Sequence, residues 1–508
     1  VEKLPEPPEE SDAELLEIAP LPSASRLPRL PLPHHSRRML SGVASVAAAL
    51  VLILLASLVF INRPRTGGDS AGQTVTQTNL SSVSMVSPGE GWVAGNSVTF
   101  SIQARPTATV AHSGWFSYAP LTGYHVVSDR MLLYHYQNGT WTPVHVNVSG
   151  GGAQLNAISM DSRTDGWAAG SLLLHFDGTT WRQQTLPVRG MLTEVRMVAP
   201  NDGWALGVRE GSAPHTPFIL HYDGTAWTEQ ALPAGLGADA QHIISVRNLV
   251  ALPTGDAWIL VTRFPVGTTV TDNPGNPGSG STTSTSGSGM SPRDVLPSTA
   301  ILHSTGGPWT VQATLPGMVV NSFDMATPHD GWAVANDAGL PPVASPPLGV
   351  HSSPLFLRYA GGAWTPVTMK AVGDTVHQLN ISRLDLLSPA EGWAVGISQT
   401  NTSGMTIVNG TPQPTPSPVP GPQMSLALAH YDGATWSATV GPGIPNGMVA
   451  VVSGADFAAS GDGWVTGTMY TLPEHAGQPG GAQPIITQTE PLLLHYTHGA
   501  WSSVPLPA

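Results

Sequence analysis

Seven short stretches of this chain alternate apolar and polar side chains, and each runs into a Trp. Nine residues before that Trp stand Val83, Ile158, Val195, Leu249, Phe323, Leu384 and Ala455; seven before it stand Met85, Met160, Met197, Ala251, Met325, Leu386 and Phe457. The position between is polar in six copies, as Ser84, Ser159, Arg196, Asp324, Asp385 and Asp456. Apolar residues at every second position mark a strand with one buried face. An acidic and a small residue precede each Trp, as in Glu90-Gly91-Trp92, Asp165-Gly166-Trp167, Asp202-Gly203-Trp204, Asp256-Ala257-Trp258, Asp330-Gly331-Trp332, Glu391-Gly392-Trp393 and Asp462-Gly463-Trp464. That pair predicts a tight turn into a second strand.

A second series, Trp141, Trp181, Trp227, Trp309, Trp364, Trp436 and Trp501, alternates strictly with the first. An apolar stretch such as Leu172-Leu173-Leu174-His175-Phe176 precedes it, and Asp177-Gly178 turns into a fourth strand carrying Trp181. Four short strands repeated seven times predict an all-β fold over 80–508: a seven-bladed β-propeller of four-stranded antiparallel blades. The Trp pairs 92/141, 167/181, 204/227, 258/309, 332/364, 393/436 and 464/501 mark the blades. Each blade covers its neighbour's apolar face, so the repeats are stable as a closed ring. Residues 72–78 are expected to add an outer strand that helps close it.

Blade length varies in one place. From second Trp to the next first Trp the spacing stays between 23 and 31 residues, whereas from first to second Trp it runs from 14 to 51. The insertions therefore lie between the second and third strands, on the face shared with the connections between blades. Insertions gathered on one face of a repeat array decorate its binding face. Two of them, 270–292 and 400–423, are Gly/Ser/Thr- and Pro/Thr-rich and read as disordered polar tracts.

Residues 39–61 carry no charge, long enough at about 1.5 Å per residue to cross a hydrocarbon core of about 30 Å. The run ends in Phe60-Ile61-Asn62-Arg63, a poor cleavage site, which favours an uncleaved signal-anchor helix over a signal peptide. Arg26, Arg29, Arg37 and Arg38 precede it and Arg63 and Arg65 follow. The basic bias places the N-terminus in the cytoplasm and the propeller in the extracytoplasmic space. Residues 1–38, Pro-rich with an acidic first half, read as a disordered cytoplasmic tail, and 62–79 as a linker.

Composition narrows the chemistry. Lys+Arg 20 against Asp+Glu 33 gives a net charge of −13, which argues against a nucleic-acid partner. With no Cys there is no thiol nucleophile and no thiolate metal site. No phosphate loop, nucleophile elbow or zinc motif is present, so no cofactor, metal or catalytic residue is assigned.

The stretches SPAEGWAVG (388–396), LLLHFDGTTW (172–181), FILHYDGTAW (218–227) and LALAHYDGATW (426–436) resemble bacterial propeller repeats of the photosystem II assembly-factor type, relatives of the sialidase-type BNR repeats. The resemblance spans roughly 80–508 and implies a non-catalytic binding or assembly role outside the cytoplasm. It departs from sialidases in that Asp177, Asp223 and Asp432 lie four residues before their Trp, where the sialidase box has its Asp five before. No arginine-bearing sialidase signature is found.

Six His (His135, His175, His221, His303, His430 and His495) stand six residues before the second Trp, with Arg358 in the seventh copy. One per blade cannot converge on a single ion, so a repeat-specific hydrogen bond or stacking contact is expected. The acidic residues two before the first Trp are assigned to turns. Asp324, Asp385 and Asp456 share one innermost-strand position in three consecutive blades and are candidates for a cation or polar ligand in the channel. Trp115, the Trp outside the repeat, stands with Phe116, Tyr118 and Tyr124 in the blade 1 insertion and forms the candidate ligand-binding patch. The expected function is a membrane-anchored, non-enzymatic recognition or assembly scaffold for an envelope protein or polysaccharide. The alternatives are a sialidase-like or other glycoside hydrolase, and a single-span receptor signalling through a cytoplasmic partner.

Overall fold

The computed structural model describes residues 73–102, 124–148, 152–211, 216–237, 242–265, 297–337, 354–367, 377–400, 405–408, 411–414, 423–445, 448–459, 461–471 and 489–507. The expected tail and membrane span lie outside these residues. Every regular element among them is a β-strand.

Seven four-stranded antiparallel sheets follow one another. Blade 1 contains β1 (Gln73–Ser87), β2 (Glu90–Ile102), β3 (Tyr124–Gln137) and β4 (Thr140–Pro143); blade 2 contains β5 (Leu155–Met160), β6 (Gly166–Gly170), β7 (Leu173–Phe176) and β8 (Trp181–Gln184). Blade 3 contains β9 (Gly190–Ala199), β10 (Asp202–Arg209), β11 (Pro217–Tyr222) and β12 (Trp227–Gln230); blade 4 contains β13 (His242–Ala251), β14 (Ala257–Pro265), β15 (Ser298–Ser304) and β16 (Thr310–Pro316). Blade 5 contains β17 (Met318–Thr327), β18 (Asp330–Asp337), β19 (Leu355–Ala360) and β20 (Ala363–Val367). Blade 6 contains β21 (His377–Ser388), β22 (Glu391–Thr400), β25 (Gln423–Tyr431) and β26 (Trp436–Gly443), and its insertion forms a hairpin of β23 (Met405–Val408) and β24 (Thr411–Pro414). Blade 7 contains β27 (Met448–Ala459), β28 (Asp462–Thr471), β29 (Thr489–Thr497) and β30 (Ala500–Ser503).

First strands neighbour one another around the ring, from β1 through β5, β9, β13, β17, β21 and β27 back to β1, and so line the central channel. The core lies between blades. At the blade 1/2 junction Trp92, Ala94 and Leu133 pack on Leu155, Ile158 and Trp181; at the closing 7/1 junction Trp464 and Leu493 pack on Leu80, Val83 and Trp141. Among the described residues no strand is exchanged at closure, since each blade's strands come from one contiguous segment.

Three expectations need correction. Residues 73–78 are not an outer strand: they extend β1, the innermost strand, and pair with Ser97–Ile102. β1 thus begins inside the stretch read as linker and reaches blade 7, where Thr78 N–H donates to Thr489 Oγ1 at 2.7 Å. The tract 400–423 contains the β23–β24 hairpin, because β-propensity in Met405–Val408 prevails over the flanking prolines. The tract 270–292 lies outside the described residues. Finally, the acidic-small pair before the first Trp lies in the second strand in five blades, and in blades 2 and 4 the strand begins one residue after Asp165 and Asp256. Those glycines do not have the left-handed backbone seen at Gly178, Gly224 and Gly433. They lack a side chain because Met85, Met160, Met197, Met325, Leu386 or Phe457 lies across the strand pair, where a Cβ would overlap it. Blade 4 keeps the packing with two small residues, Ala251 opposite Ala257.

Candidate functional site

The residues that look chemically active in the repeat are joined to one another. The His six before the second Trp sits directly across from the first Trp, as His175 opposite Trp167, and its ring lies against the indole. Centroid separations run from 4.0 Å at Trp464–His495 to 4.6 Å at Trp258–His303. Its Nε2 meets the acidic residue two before that Trp: Asp256–His303 at 2.7 Å, Asp202–His221 at 2.9 Å, Asp165–His175 at 3.1 Å and Asp462–His495 at 3.2 Å. The glutamates of blades 1 and 6 stand farther off, Glu90–His135 at 3.6 Å and Glu391–His430 at 3.7 Å. In blade 5 Arg358 does both jobs, donating to Asp330 at 2.8 Å and lying over Trp332. Five of these indoles then meet the next blade edge-on: Trp92–Trp181 and Trp167–Trp227 at 5.3 Å, Trp204–Trp309 at 5.0 Å, Trp332–Trp436 at 5.5 Å and, closing the ring, Trp464–Trp141 at 5.1 Å; Trp393 meets Phe457 and Tyr496 of blade 7 instead. Acid, His and two Trp form a latch at the junctions that follow blades 1, 2, 3 and 7, and Arg358 replaces the His after blade 5, which corrects the assignment of the acidic series to turns. The Asp-Gly turns before the second Trp do follow turn chemistry. Asp177 Oδ1 accepts the Thr179 hydroxyl at 2.7 Å and the N–H of Thr180 and Thr179 at 2.8 and 3.0 Å, and these bonds hold its carboxyl well below the usual range.

The polar position of the first strand faces the next blade. Its side chain accepts the N–H of the following blade's residue seven before Trp. Ser84 Oγ takes Met160 N–H at 3.0 Å and Ser159 Oγ takes Met197 N–H at 2.9 Å. Asp324 Oδ2 takes Leu386 N–H at 2.7 Å, Asp385 Oδ2 takes Phe457 N–H at 2.6 Å, and Asp456 Oδ2 takes Met85 N–H at 2.6 Å. The three channel candidates are thus blade-joining acceptors, the last of them at the closure. Arg196 and Val250 cannot accept, so blades 3 and 4 use other groups. Glu194 takes Asn248 and Leu249 N–H at 2.8 and 2.6 Å, and Arg247 donates to Val320 O at 2.8 Å.

The aspartates also feel one another. Burial, then the Asp385 charge, pushes Asp324 and Asp456 up to about 7; burial raises Asp385 as well. Arg196, from blade 3, acts on all three across the channel and lowers each. Three carboxyl groups therefore share one guanidinium near the ring axis. A second carboxyl pair was not singled out in the sequence: Asp161, in the blade 2 turn, is raised to about 6 by burial and by Asp165. Its signal was the acidic residue six before Trp167, where the other blades are apolar.

Of the aromatic patch, Trp115, Phe116 and Tyr118 lie outside the described residues, and Tyr124 opens β3 opposite Ile102. Val126 and Val127, which follow it, are exposed. Among the described residues no group of three or more His, Asp or Glu is arranged to hold a metal ion.

No protein-family model matches the chain and no curated protein matches it. Among solved structures the chain is similar to YCF48 bound to D1 peptide, with 12% identity, 82% of this chain and 100% of that chain covered, and a TM-score of 0.39. It is similar to Chaetomium thermophilum Sqt1 bound to the N-terminus of the ribosomal protein L10, at 9% identity, 77% and 94% coverage and 0.36. A protein of unknown function from Dyadobacter fermentans gives 11% identity, 83% and 97% coverage and 0.34.

Proposed function

We propose that this chain is a recognition or assembly scaffold without catalytic activity, held in a membrane by residues 39–61 with its propeller on the extracytoplasmic side. It binds an envelope protein or polysaccharide through the insertion-bearing face. One observation carries the proposal: the repeat's acidic and His side chains are spent on bracing the blades and joining them. Acid meets His, His meets Trp, and each channel carboxylate receives a backbone N–H. A glycoside hydrolase needs two carboxyl groups about 5 to 9.5 Å apart facing a substrate, and carboxylates bonded into blade junctions are poorly placed for that work. What varies from blade to blade is the connection between second and third strands, long in blades 1, 4, 5, 6 and 7 and short in blade 2.

The test is binding of the full chain, reconstituted in nanodiscs, to arrays of envelope polysaccharides and envelope proteins. The expected result is saturable binding to one class, lost in Trp115→Ala while the thermal midpoint is unchanged. Release of a cleaved product would refute the non-enzymatic part. Binding that survives shortening of every long second-to-third connection would refute the choice of face.

A further inference from the structure

One layer of the channel carries charges that the blade junctions do not use up. In each blade one first-strand residue pairs with the position two after the first Trp. Around the ring these are Ser82, Ala157, Glu194, Arg247, Ser322, Arg383 and Gly454. Arg247 reaches this level because blade 4 carries one extra residue in a bulge, with Asn248 in the left-handed region at φ 56°. Three large charged side chains thus share a layer whose other members are Ser, Ala, Ser and Gly.

The donors and acceptors do not balance. Both oxygens of Glu194 are taken by the N–H groups of Asn248 and Leu249. Arg247 donates through Nη2 to Val320 O, and its buried Nε has no partner among the described residues. Arg383 donates through Nε to Ser453 O at 2.8 Å and through Nη1 to Ser382 O at 2.9 Å, which leaves Nη2. The two guanidinium groups are close enough to repel, and burial followed by the Arg383 charge pushes Arg247 down to about 10. A buried donor without a partner, beside a second cation, is the setting in which an ion completes a site.

We propose that this layer is an oxyanion site, in which a small oxyanion on the channel axis accepts from the unused N–H groups of the Arg247 and Arg383 guanidiniums. Glu194 competes with it for the same positive charge. Two residues farther along the strands, about 6.5 Å at roughly 3.3 Å per residue, lie Asp324, Asp385 and Asp456 with Arg196. As pH falls through about 7 those carboxyl groups take up protons and stop repelling the anion. The site therefore tightens in mild acid.

The probe is sodium sulfate, dianionic throughout the range, titrated calorimetrically into the full chain at constant ionic strength set with chloride. One site per chain is expected, binding several-fold tighter at pH 6 than at pH 8. Arg247→Met and Arg383→Met should each weaken it by tenfold or more, as removal of a charged partner does. If those variants fail to fold, Glu194→Gln and Asp456→Asn still decide. The first should strengthen binding by several-fold at either pH, and the second should strengthen it at pH 8 and flatten the pH dependence. Absence of saturable binding at both pH values, or affinity unmoved by Glu194→Gln and Asp456→Asn, overturns the site. Acetate in place of sulfate separates the sources: equal binding of acetate assigns the site to a peptide carboxylate, and sulfate alone assigns it to a free inorganic anion.

Discussion

Two arcs of the same ring solve the same problem with different chemistry. From blade 1 to blade 3 the first strands are joined by serine hydroxyls; from blade 5 round to blade 1 they are joined by aspartate carboxylates. Position, partner and direction are the same, and only the acceptor changes. A neutral acceptor contributes about 0.5–1.5 kcal/mol net, a charged one about 1.5–3. The stronger bond carries a burden the serine arc escapes, because three carboxyl groups at consecutive junctions repel and Arg196 alone opposes them. The aspartate arc includes the closing junction, where no shared strand reinforces the contact. The serine bonds are therefore indifferent to pH, whereas the aspartate bonds, the closing one included, respond to it.

The comparison fails first if the arcs differ elsewhere. The outer latch is alike in both, with Trp92 edge-on to Trp181 in the serine arc and Trp464 edge-on to Trp141 at the closure. Trp92→Ala and Trp464→Ala should each cost about 3–5 kcal/mol, the usual loss for a large core truncation, in urea unfolding at pH 5. A clearly larger loss for Trp464 would mean that the closure is weak for reasons beyond its inner ring.

The next effect is the pH dependence itself. A carboxyl whose pKa is higher in the folded than in the unfolded chain adds stability below the unfolded value, near 4. That contribution is lost as pH rises through the folded value. Asp324 and Asp456, near 7 when folded, should thus remove on the order of a few kcal/mol between about pH 4 and pH 7. The turn aspartates Asp177, Asp223 and Asp432 are shifted the other way by their Thr and backbone donors, so the whole-protein profile mixes both signs. The difference between wild type and Asp385→Asn isolates the trio. Asn keeps an acceptor for Phe457 N–H and removes the charge that raises both neighbours. Asp385→Asn should gain on wild type as pH rises from 5 to 8; parallel curves would break the comparison.

Deleting the acceptors sharpens it. Ser84→Ala leaves Met160 N–H without its partner and should cost about 1–3 kcal/mol, by the same amount at pH 5 and pH 8. Asp456→Ala should cost as much at pH 5 and less at pH 8, where loss of a repelling charge offsets loss of the bond. Thermal unfolding of both variants at the two pH values decides it.

The arcs were half legible in the sequence. A polar residue between two apolar ones is plain at Ser84, Ser159, Asp324, Asp385 and Asp456, and it placed the aspartates on the innermost strand. That these side chains reach into the next blade was not legible, because nothing in a repeat's own period shows which way a strand leans on its neighbour. Arg196 meets the trio only because ring closure carries blade 3 across the channel from blades 5 to 7. The packing role of the glycines had left a trace: blade 4 has Ala251 and Ala257 where the other copies pair a larger side chain with Gly. The pairing of acid with His had another, in that Arg358 replaces His at one copy and only an acid partner suits both. The one-residue bulge that lifts Arg247 to the level of Arg383 had no signal, since a left-handed Asn248 is a local choice of backbone.

The smallest effect concerns the latch, where the arcs should be indistinguishable. The acid–His pairs are half-exposed, with His side chains 16–36% accessible in the pairs measured, and pairs of that exposure contribute about 0–1 kcal/mol. Most of the His contribution should come from stacking on the indole, which persists without the acid. Asp165→Asn in the serine arc and Asp462→Asn at the closure should therefore each cost under about 1 kcal/mol. Replacing the ring itself, as in His175→Ala and His495→Ala, should cost more than loss of the acid, by about 0.5–1.5 kcal/mol. A loss at Asp462 several times that at Asp165 would show that the closing latch depends on its ion pair. The distinction between the arcs would then extend from the inner ring to the outer one.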